Sequence, residues 1–315
     1  MLGVKMETEI REQPKVLREQ AESYFQAILP AVQGKRFDMA LLAARGSSDN
    51  AALYLRYLLE VHLQIPVSLA APSVLTRYGS RVRYSNCLAI GISQSGAAPD
   101  VAEVLSMLRE NGHTTLAITN TADSRLTKSA EFSCLLNVGQ EHSVAATKTY
   151  SASLLAGYQL CRALGASLAD PISHLPDDAW MQESHDVAQR SLGAILRSHL
   201  LFSLARGYGF CTAQEAALKL MECALLACKS YSFADFEHGP KAIASHGTCA
   251  ICFGEGGDNL ADQGALIVRP PHLEESPLKP IWDIIYGQWL ALLAARARGL
   301  NPDDPQHIQK VTETL

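Results

Sequence analysis

Short apolar runs alternate with longer helical stretches along the first half of this chain, and that alternation narrows the available folds more than any other feature. Residues 37–44, 67–70, 87–92, 115–119 and 132–136 read as strands. Helical patterns at 49–62, 98–111 and 126–130 separate them, and a long apolar helix at 147–164 follows. Strands joined through helices run parallel, with right-handed crossovers that place helices on both faces of a sheet. Ligands of such sheets gather at the carboxyl ends of the strands. A further helical pattern at 7–32 precedes the first strand and is expected to pack against the first domain.

One strand end has distinctive chemistry. Residues 87–100 read Cys-Leu-Ala-Ile-Gly-Ile-Ser-Gln-Ser-Gly-Ala-Ala-Pro-Asp, an apolar strand that breaks into a small, hydroxyl-rich turn and then starts a helix. Ser93, Ser95 and Gly96 are small enough for backbone amides to face a ligand. Pro99 suits a first helical turn, and Asp100 is an acid where the helix dipole favours one. Such a helix start can cradle an anion with amides and hydroxyls. The turn lacks the lysine of a nucleotide-binding P-loop, so it points to a phosphomonoester rather than a nucleoside triphosphate. Taken alone, it is equally an ordinary strand-to-helix turn.

The pattern repeats after a proline-containing segment. Leu42-Ala43-Ala44-Arg45-Gly46 is echoed by Leu204-Ala205-Arg206-Gly207, each followed by a helix, and the second half reads as a degenerate copy. Its turn at 254–258, Gly-Glu-Gly-Gly-Asp, lacks the serines, so only the first half is expected to bind phosphate. The domain reading is a helix at 1–34, a first domain at 35–166, a linker at 167–190, a second domain at 191–300 and a tail at 301–315.

Three groups in the second half could carry chemistry. On a helix predicted at 213–228, Glu215, Lys219 and Glu222 share one face. An exposed helix often displays such a row as solvated salt bridges, but here the flanking residues are apolar. A buried lysine beside a carboxylate is a pair whose pKa values can be moved toward proton transfer. His238 sits on a Glu-His-Gly-Pro turn, and Lys310 lies in the tail. Ser47 and Ser48 add hydroxyls at the first strand end, and Val144 and Ala145 precede Thr147, which can cap the next helix.

Bulk properties exclude several classes. The chain has 315 residues, enough for two domains. A net charge of -5 without a basic tract argues against nucleic acid or an anionic membrane surface as a partner. No apolar run approaches the roughly 20 residues of a membrane span. The charged residues 1–20 lack a signal-peptide core, which predicts a cytoplasmic protein. The 8 cysteines include a Cys249-x-x-Cys252 pair inside a predicted strand, read as buried free thiols.

Seven motifs in order carry a family resemblance. They are Ala-Arg-Gly-Ser-Ser-Asp at 44–49, Ala-Pro-Ser at 71–73, Ile-Ser-Gln-Ser-Gly at 92–96, Val-Ala-Ala-Thr-Lys at 144–148, Glu-Ala-Ala-Leu-Lys-Leu-Met-Glu at 215–222, Glu-His-Gly-Pro at 237–240 and Lys-Val-Thr-Glu-Thr-Leu at 310–315. With these the chain resembles the double sugar-isomerase (SIS) domain family. It is similar to the isomerase half of glutamine-fructose-6-phosphate aminotransferase and, more closely, to type II glucosamine-6-phosphate deaminases. The fold this implies is α/β: two tandem SIS domains, each a parallel sheet flanked by helices on both faces, a flavodoxin-like three-layer sandwich.

The resemblance also implies roles. Ser48, Ser93, Gln94 and Ser95 match the family's sugar-phosphate loops. Glu222 matches the carboxylate that moves a proton between C1 and C2, with Lys219 beside it. His238 matches the ring-opening histidine, which in the family reaches the neighbouring subunit's site and so implies a homodimer. Lys310 matches the tail lysine near the ketose carbonyl, able to form a Schiff base there. Ala98 and Ala146 stand where relatives carry hydroxyls, Ala98 at the phosphate cradle. No glutaminase segment precedes the first domain, so the expected reaction is breakdown of glucosamine 6-phosphate to fructose 6-phosphate and ammonia, without a metal or other cofactor. A fructosamine-6-phosphate deglycase, another phosphosugar isomerase and a non-catalytic sugar-phosphate sensor are the alternatives.

Overall fold

The computed structural model describes residues 1–305 and 308–310. The chain opens with α1 (Val4–Val32). There follow β1 (Met39–Ala43), α2 (Ser47–Leu63), β2 (Val67–Leu69), α3 (Ser73–Thr76), β3 (Cys87–Ile92), α4 (Pro99–Glu110), β4 (Thr114–Thr119), α5 (Arg125–Ser129), β5 (Phe132–Leu135) and α6 (Lys148–Ala163). All the strands and helices expected in this half are present, and the one-turn α3 is additional. The second half comprises α7 (Asp178–Arg197), β6 (Leu200–Ala205), α8 (Phe210–Ala224), β7 (Cys228–Ser232), α9 (Phe233–Glu237), β8 (Thr248–Cys252), β9 (Leu266–Val268) and α10 (Lys279–Ala297).

Two parallel sheets result, flanked by helices. The first has the order β2-β1-β3-β4-β5 and the second β7-β6-β8-β9, so the second half repeats the first with one strand fewer. In each, the chain leaves the first strand toward one edge and returns to the other side of it. That places a topological switch point between β1 and β3, and another between β6 and β8. The register Leu42↔Ile90 and its neighbours brings the carboxyl ends of β1 and β3 side by side. All six residues of β3 are buried, which is why its sequence is continuously apolar rather than alternating. Gly91 is required there, since a Cβ would lie 2.8 Å from the Leu105 side chain of α4 and 2.9 Å from Leu126 of α5.

The chain forms two compact units that are not contiguous in sequence. The first-sheet unit comprises Lys15–Gln140 and Lys148–His174, and the second-sheet unit Met1–Pro14, Glu141–Thr147 and Leu175–Lys310. Three expectations change. Residues 1–14 of the N-terminal helix group with the second sheet rather than the first: Met6 and Ile10 are buried in a core with Trp289, Leu290 and Leu220. The loop at 141–147 likewise leaves the first domain. Residues 167–190, read as a linker, include the whole first half of α7, whose start is capped by Asp177 Oδ1 accepting the Trp180 N–H at 2.8 Å. That helix was hidden because two of its six buried positions, Ser184 and Ser191, are polar. The predicted 213–228 helix also ends early, at Leu225 in the left-handed region (φ 52°), which frees Cys228 to begin β7.

Among the described residues all eight cysteines are buried and free, and burial pushes the Cys249 and Cys252 thiols up to about 12 and about 11. No helix among the described residues is long and apolar enough to cross a membrane.

Within the second-sheet unit the start of α1 is capped by distant residues. Asp303 accepts the Lys5 and Met6 N–H groups, each at 2.9 Å, and Asn301 Oδ1 accepts that of Gly3 at 2.9 Å. Arg296 of α10 adds a 2.6 Å bond to Glu7 and a 2.8 Å bond to the Leu2 carbonyl. A carboxylate on free helix amides combines a capping bond with the favourable dipole. Asp303→Ala is therefore expected to cost about 1–2 kcal/mol, read as a lower urea midpoint, with Asp303→Asn retaining part of it.

Candidate active site

In the first-sheet unit, the hydroxyl residues lie at the carboxyl ends of the two switch-point strands. Ser47 and Ser48 open α2 directly after the Arg45-Gly46 turn, where Gly46 has φ 57°. After β3, the Ser93 N–H donates to Ile118 O at 3.1 Å, which ties the cradle to β4. Ser93 Oγ accepts the Gly96 amide at 3.2 Å and Ser95 Oγ the Ala97 amide at 3.3 Å. Gln94 O accepts the Asn120 N–H at 3.0 Å. Gly96 has φ 61°, and a Cβ there would fall 2.3 Å from Ser124 Oγ, so no other residue fits the turn. Ala98 occupies the N-cap of α4 and supplies no side-chain cap. Arg45 binds Asp100 through Nε at 2.8 Å and Nη2 at 2.7 Å, joining the two strand ends.

In the second-sheet unit, α8 presents its charged row inward. Glu215 is fully buried and Lys219 is 1% exposed, whereas the Glu222 side chain is 25% exposed. Lys219 Nζ lies 3.3 Å from Glu215 Oε1 and 2.5 Å from Glu222 Oε2. Burial opposes the lysine's charge, but Glu215 and then Glu222 outweigh it and push the Lys219 pKa up. The sequence expectation of a lysine tuned toward proton transfer is thus reversed. Lys219 is a fixed cation, and Glu222 is the group of the three that solvent and a ligand can reach.

A second charged cluster holds the loop at 141–147. Lys310 Nζ donates to Glu141 Oε2 at 2.8 Å and to Ser143 O at 2.7 Å. Glu141 Oε1 accepts the Thr147 N–H at 2.9 Å. Glu9, from α1, accepts the amides of His142 and Ser143 and the Ser143 hydroxyl. Burial raises the Glu9 pKa, and the bonds from Ser143 and His142 oppose that rise. Val144 and Ala145 are carried on the loop so fixed. His238 sits apart at the exposed C-cap of α9, with no side-chain hydrogen bond among the described residues. The tail motif beyond Lys310, residues 311–315, lies outside the described residues.

The geometry therefore sorts the predicted residues into sets. Ser47, Ser48, Ser93, Gln94, Ser95 and Ala98 belong to the first-sheet unit. Lys219, Glu222, Val144, Ala145, His238 and Lys310 belong to the second-sheet unit, where Lys219 meets Glu222 and Lys310 meets the loop that carries Val144 and Ala145.

Residues 38–163 match the family model described as the SIS domain. That region, 126 of the chain's 315 residues, is similar to the SIS domain. The matched region runs from just before β1 to the end of α6 and contains the serine cradle. Over 96% of its length the chain is 27% identical to the glutamine-fructose-6-phosphate aminotransferase (isomerizing) of Thermococcus kodakarensis. It covers 56% of that relative, so it spans about half the length of the curated relatives it matches. Its fold is that of a phosphosugar isomerase, so described as putative by name, from Silicibacter pomeroyi, with a TM-score of 0.83, 28% identity and coverage of 96% of this chain and 100% of that one. The glucosamine-6-phosphate deaminase of Thermotoga maritima shares the fold with a TM-score of 0.82 at 24% identity, covering 98% of this chain and 100% of that one.

Two residues of the candidate site escaped sequence reasoning. Glu9 and Glu141 act across sequence separations of 133 and 169 residues, to His142 and Lys310. One signal was available: Glu141 is the sole carboxylate between positions 132 and 147. The α8 row gives a direct test of which charge is structural. Lys219→Met leaves Glu215 buried without its cation and is expected to cost about 3–5 kcal/mol. Glu215→Gln in the same chain should recover much of this, and Glu222→Gln alone should change stability by under about 1 kcal/mol. Urea unfolding of the three variants measures it.

Proposed function

We propose that this protein converts an aminosugar 6-phosphate, glucosamine 6-phosphate in the first instance, to fructose 6-phosphate and ammonia. The observation that carries the reading is the state of Glu222. Among the three charges of α8 it alone is partly exposed, and one of its oxygens is fixed by a buried, permanently cationic lysine. A carboxylate so oriented is a ready base for a carbon acid. The similarity to aminotransferases whose name couples amination with isomerisation of fructose 6-phosphate supports the same sugar carbons as the reacting centre.

In this reading the phosphate rests on the amides and hydroxyls at Ser93 to Gly96, with Ser47 and Ser48 beside the sugar. The ligand replaces the internal bonds that now occupy the Gly96 and Ala97 amides. His238 assists ring opening to the free aldehyde. Glu222 then takes the C2 proton, electrons move toward C1, and return of the proton to C1 leaves an iminium at C2. Water adds to C2 and ammonia departs, giving the ketose. Lys310, whose ammonium is oriented by Glu141 and Ser143, donates to the sugar oxygen near C1 and C2, and Val144 and Ala145 contribute the loop backbone against the sugar. No step needs a redox partner, because hydrogen moves between adjacent carbons and the leaving group is expelled by water.

Incubation of purified protein with glucosamine 6-phosphate should release ammonia and fructose 6-phosphate in equal amounts. Glu222→Gln should lower kcat by about 10²–10⁴-fold with unchanged melting. A wild-type protein that releases no ammonia overturns the reading, and a ketose formed without ammonia replaces it with simple isomerisation.

The exposure and unengaged side chain of His238 also support its use in a neighbouring subunit's site, in a homodimer. Mixing Glu222→Gln chains with His238→Ala chains is then expected to restore about a quarter of the wild-type sites, since half of a random mixture is mixed dimers with one intact site each. Absence of any restoration, or activity in a sedimenting monomer, would show that His238 acts within its own chain.

A further inference from the structure

Residues 1–14 group with the second sheet, and one of them is a carboxylate in an unusual setting. Glu9, in the second turn of α1, is 3% exposed. Among the described residues no cation pairs with it, and every hydrogen bond it accepts comes from the loop at 141–147. The donors are the N–H groups of His142 and Ser143 and the Ser143 hydroxyl. Burial raises its pKa, the Ser143 and His142 bonds lower it, and the Glu141 charge raises it again. A buried charge is costly unless it is hydrogen-bonded, and here the compensation comes wholly from one loop.

The far end of that loop is held through α1 as well. Gln13 and Gln288, both fully buried, are joined by a 2.7 Å bond from Gln13 Nε2 to Gln288 Oε1. Gln288 Nε2 in turn donates to the Thr147 carbonyl at 3.3 Å. The loop therefore meets α1 directly at Ser143 and, through one glutamine of α10, at Thr147.

Ser143 is the residue on which two charges converge. Its N–H and hydroxyl are taken by Glu9, and its carbonyl accepts Lys310 Nζ at 2.7 Å. A carbonyl can aim an ammonium only when the residue that carries it is itself held, which is the task of a supporting shell.

We propose that Glu9 is a positioning residue for Lys310: it fixes Ser143 from one side so that the ammonium is aimed from the other. Glu9 is buried and touches no substrate, and through it the first turns of α1 become part of the candidate site. The consequence for turnover rests on the reaction proposed above, whereas the aiming of Lys310 does not.

Pulse acetylation of the full chain with acetic anhydride, read by peptide mass spectrometry, measures the freedom of Lys310 without any substrate. Lys15, whose side chain is 78% exposed, is the internal reference. Glu9→Gln should raise the Lys310 to Lys15 labelling ratio at least about 5-fold. Glu7→Gln, which weakens α1 at its Arg296 contact and leaves the loop alone, should keep the ratio within about 2-fold of wild type. If Glu9→Gln fails to fold, Ser143→Ala decides in its place, with an expected rise of at least about 3-fold. With glucosamine 6-phosphate as substrate, Glu9→Gln should lower kcat about 10-fold with KM within about 3-fold, and should cost less than about 2-fold in a Lys310→Ala chain. The proposal is overturned by a labelling ratio that Glu9→Gln leaves unchanged, by an equal rise in Glu7→Gln, or by kcat losses that multiply in the double variant. If the wild-type protein releases no ammonia, the labelling still decides the role of Glu9, so the two readings fail separately.

Discussion

Parallel pairing is the constraint on which the rest depends. A strand can lie parallel to its predecessor only after the chain has crossed back over the sheet, so each strand of a sheet ends on the same edge. The placement of the candidate binding residues in the first-sheet unit follows from this. Ser47 and Ser93 are 46 positions apart in sequence, yet β1 and β3 are adjacent and in register, so the residues that follow them emerge at neighbouring points. The Arg45 to Asp100 ion pair then fixes the two emerging turns relative to each other.

In the second-sheet unit the same edge logic is supplemented by buried charge. Three carboxylates, Glu9, Glu141 and Glu215, are withdrawn from water, and each is compensated by a particular donor set: the amides and hydroxyl of His142 and Ser143, Lys310 with Thr147, and Lys219. Buried ionic groups add little net stability compared with apolar replacements, but they tolerate few alternative arrangements. Here they fix the position of a loop and of the Glu222 carboxylate on α8, which suits groups that have to be oriented to act.

Much of this was legible in sequence. The strands of the first sheet announce themselves as fully buried apolar runs, and the proposed site residues fall at boundaries between elements, where serines, glycines and prolines carry a local meaning. The inward row of α8 was readable from its apolar neighbours. What resisted reading had no local pattern. Two serines on the buried face of α7 disguised a helix as a linker, and Asp303 caps a helix almost the whole chain away. The grouping of residues 1–14 and 141–147 with the second sheet rests on long-range contacts that no window of sequence contains. The direction of the Lys219 shift was equally hidden, because it depends on whether two carboxylates outweigh burial.

The discontinuous second-sheet unit bears on the order in which the chain is made. During synthesis Met6 and Ile10 leave the ribosome about 280 residues ahead of their core partners in α10, Trp289 and Leu290. The first sheet has all its strands well before that point. The nascent chain therefore carries these apolar side chains unpartnered until α10 is made, a segment on which a chaperone can act in the interval.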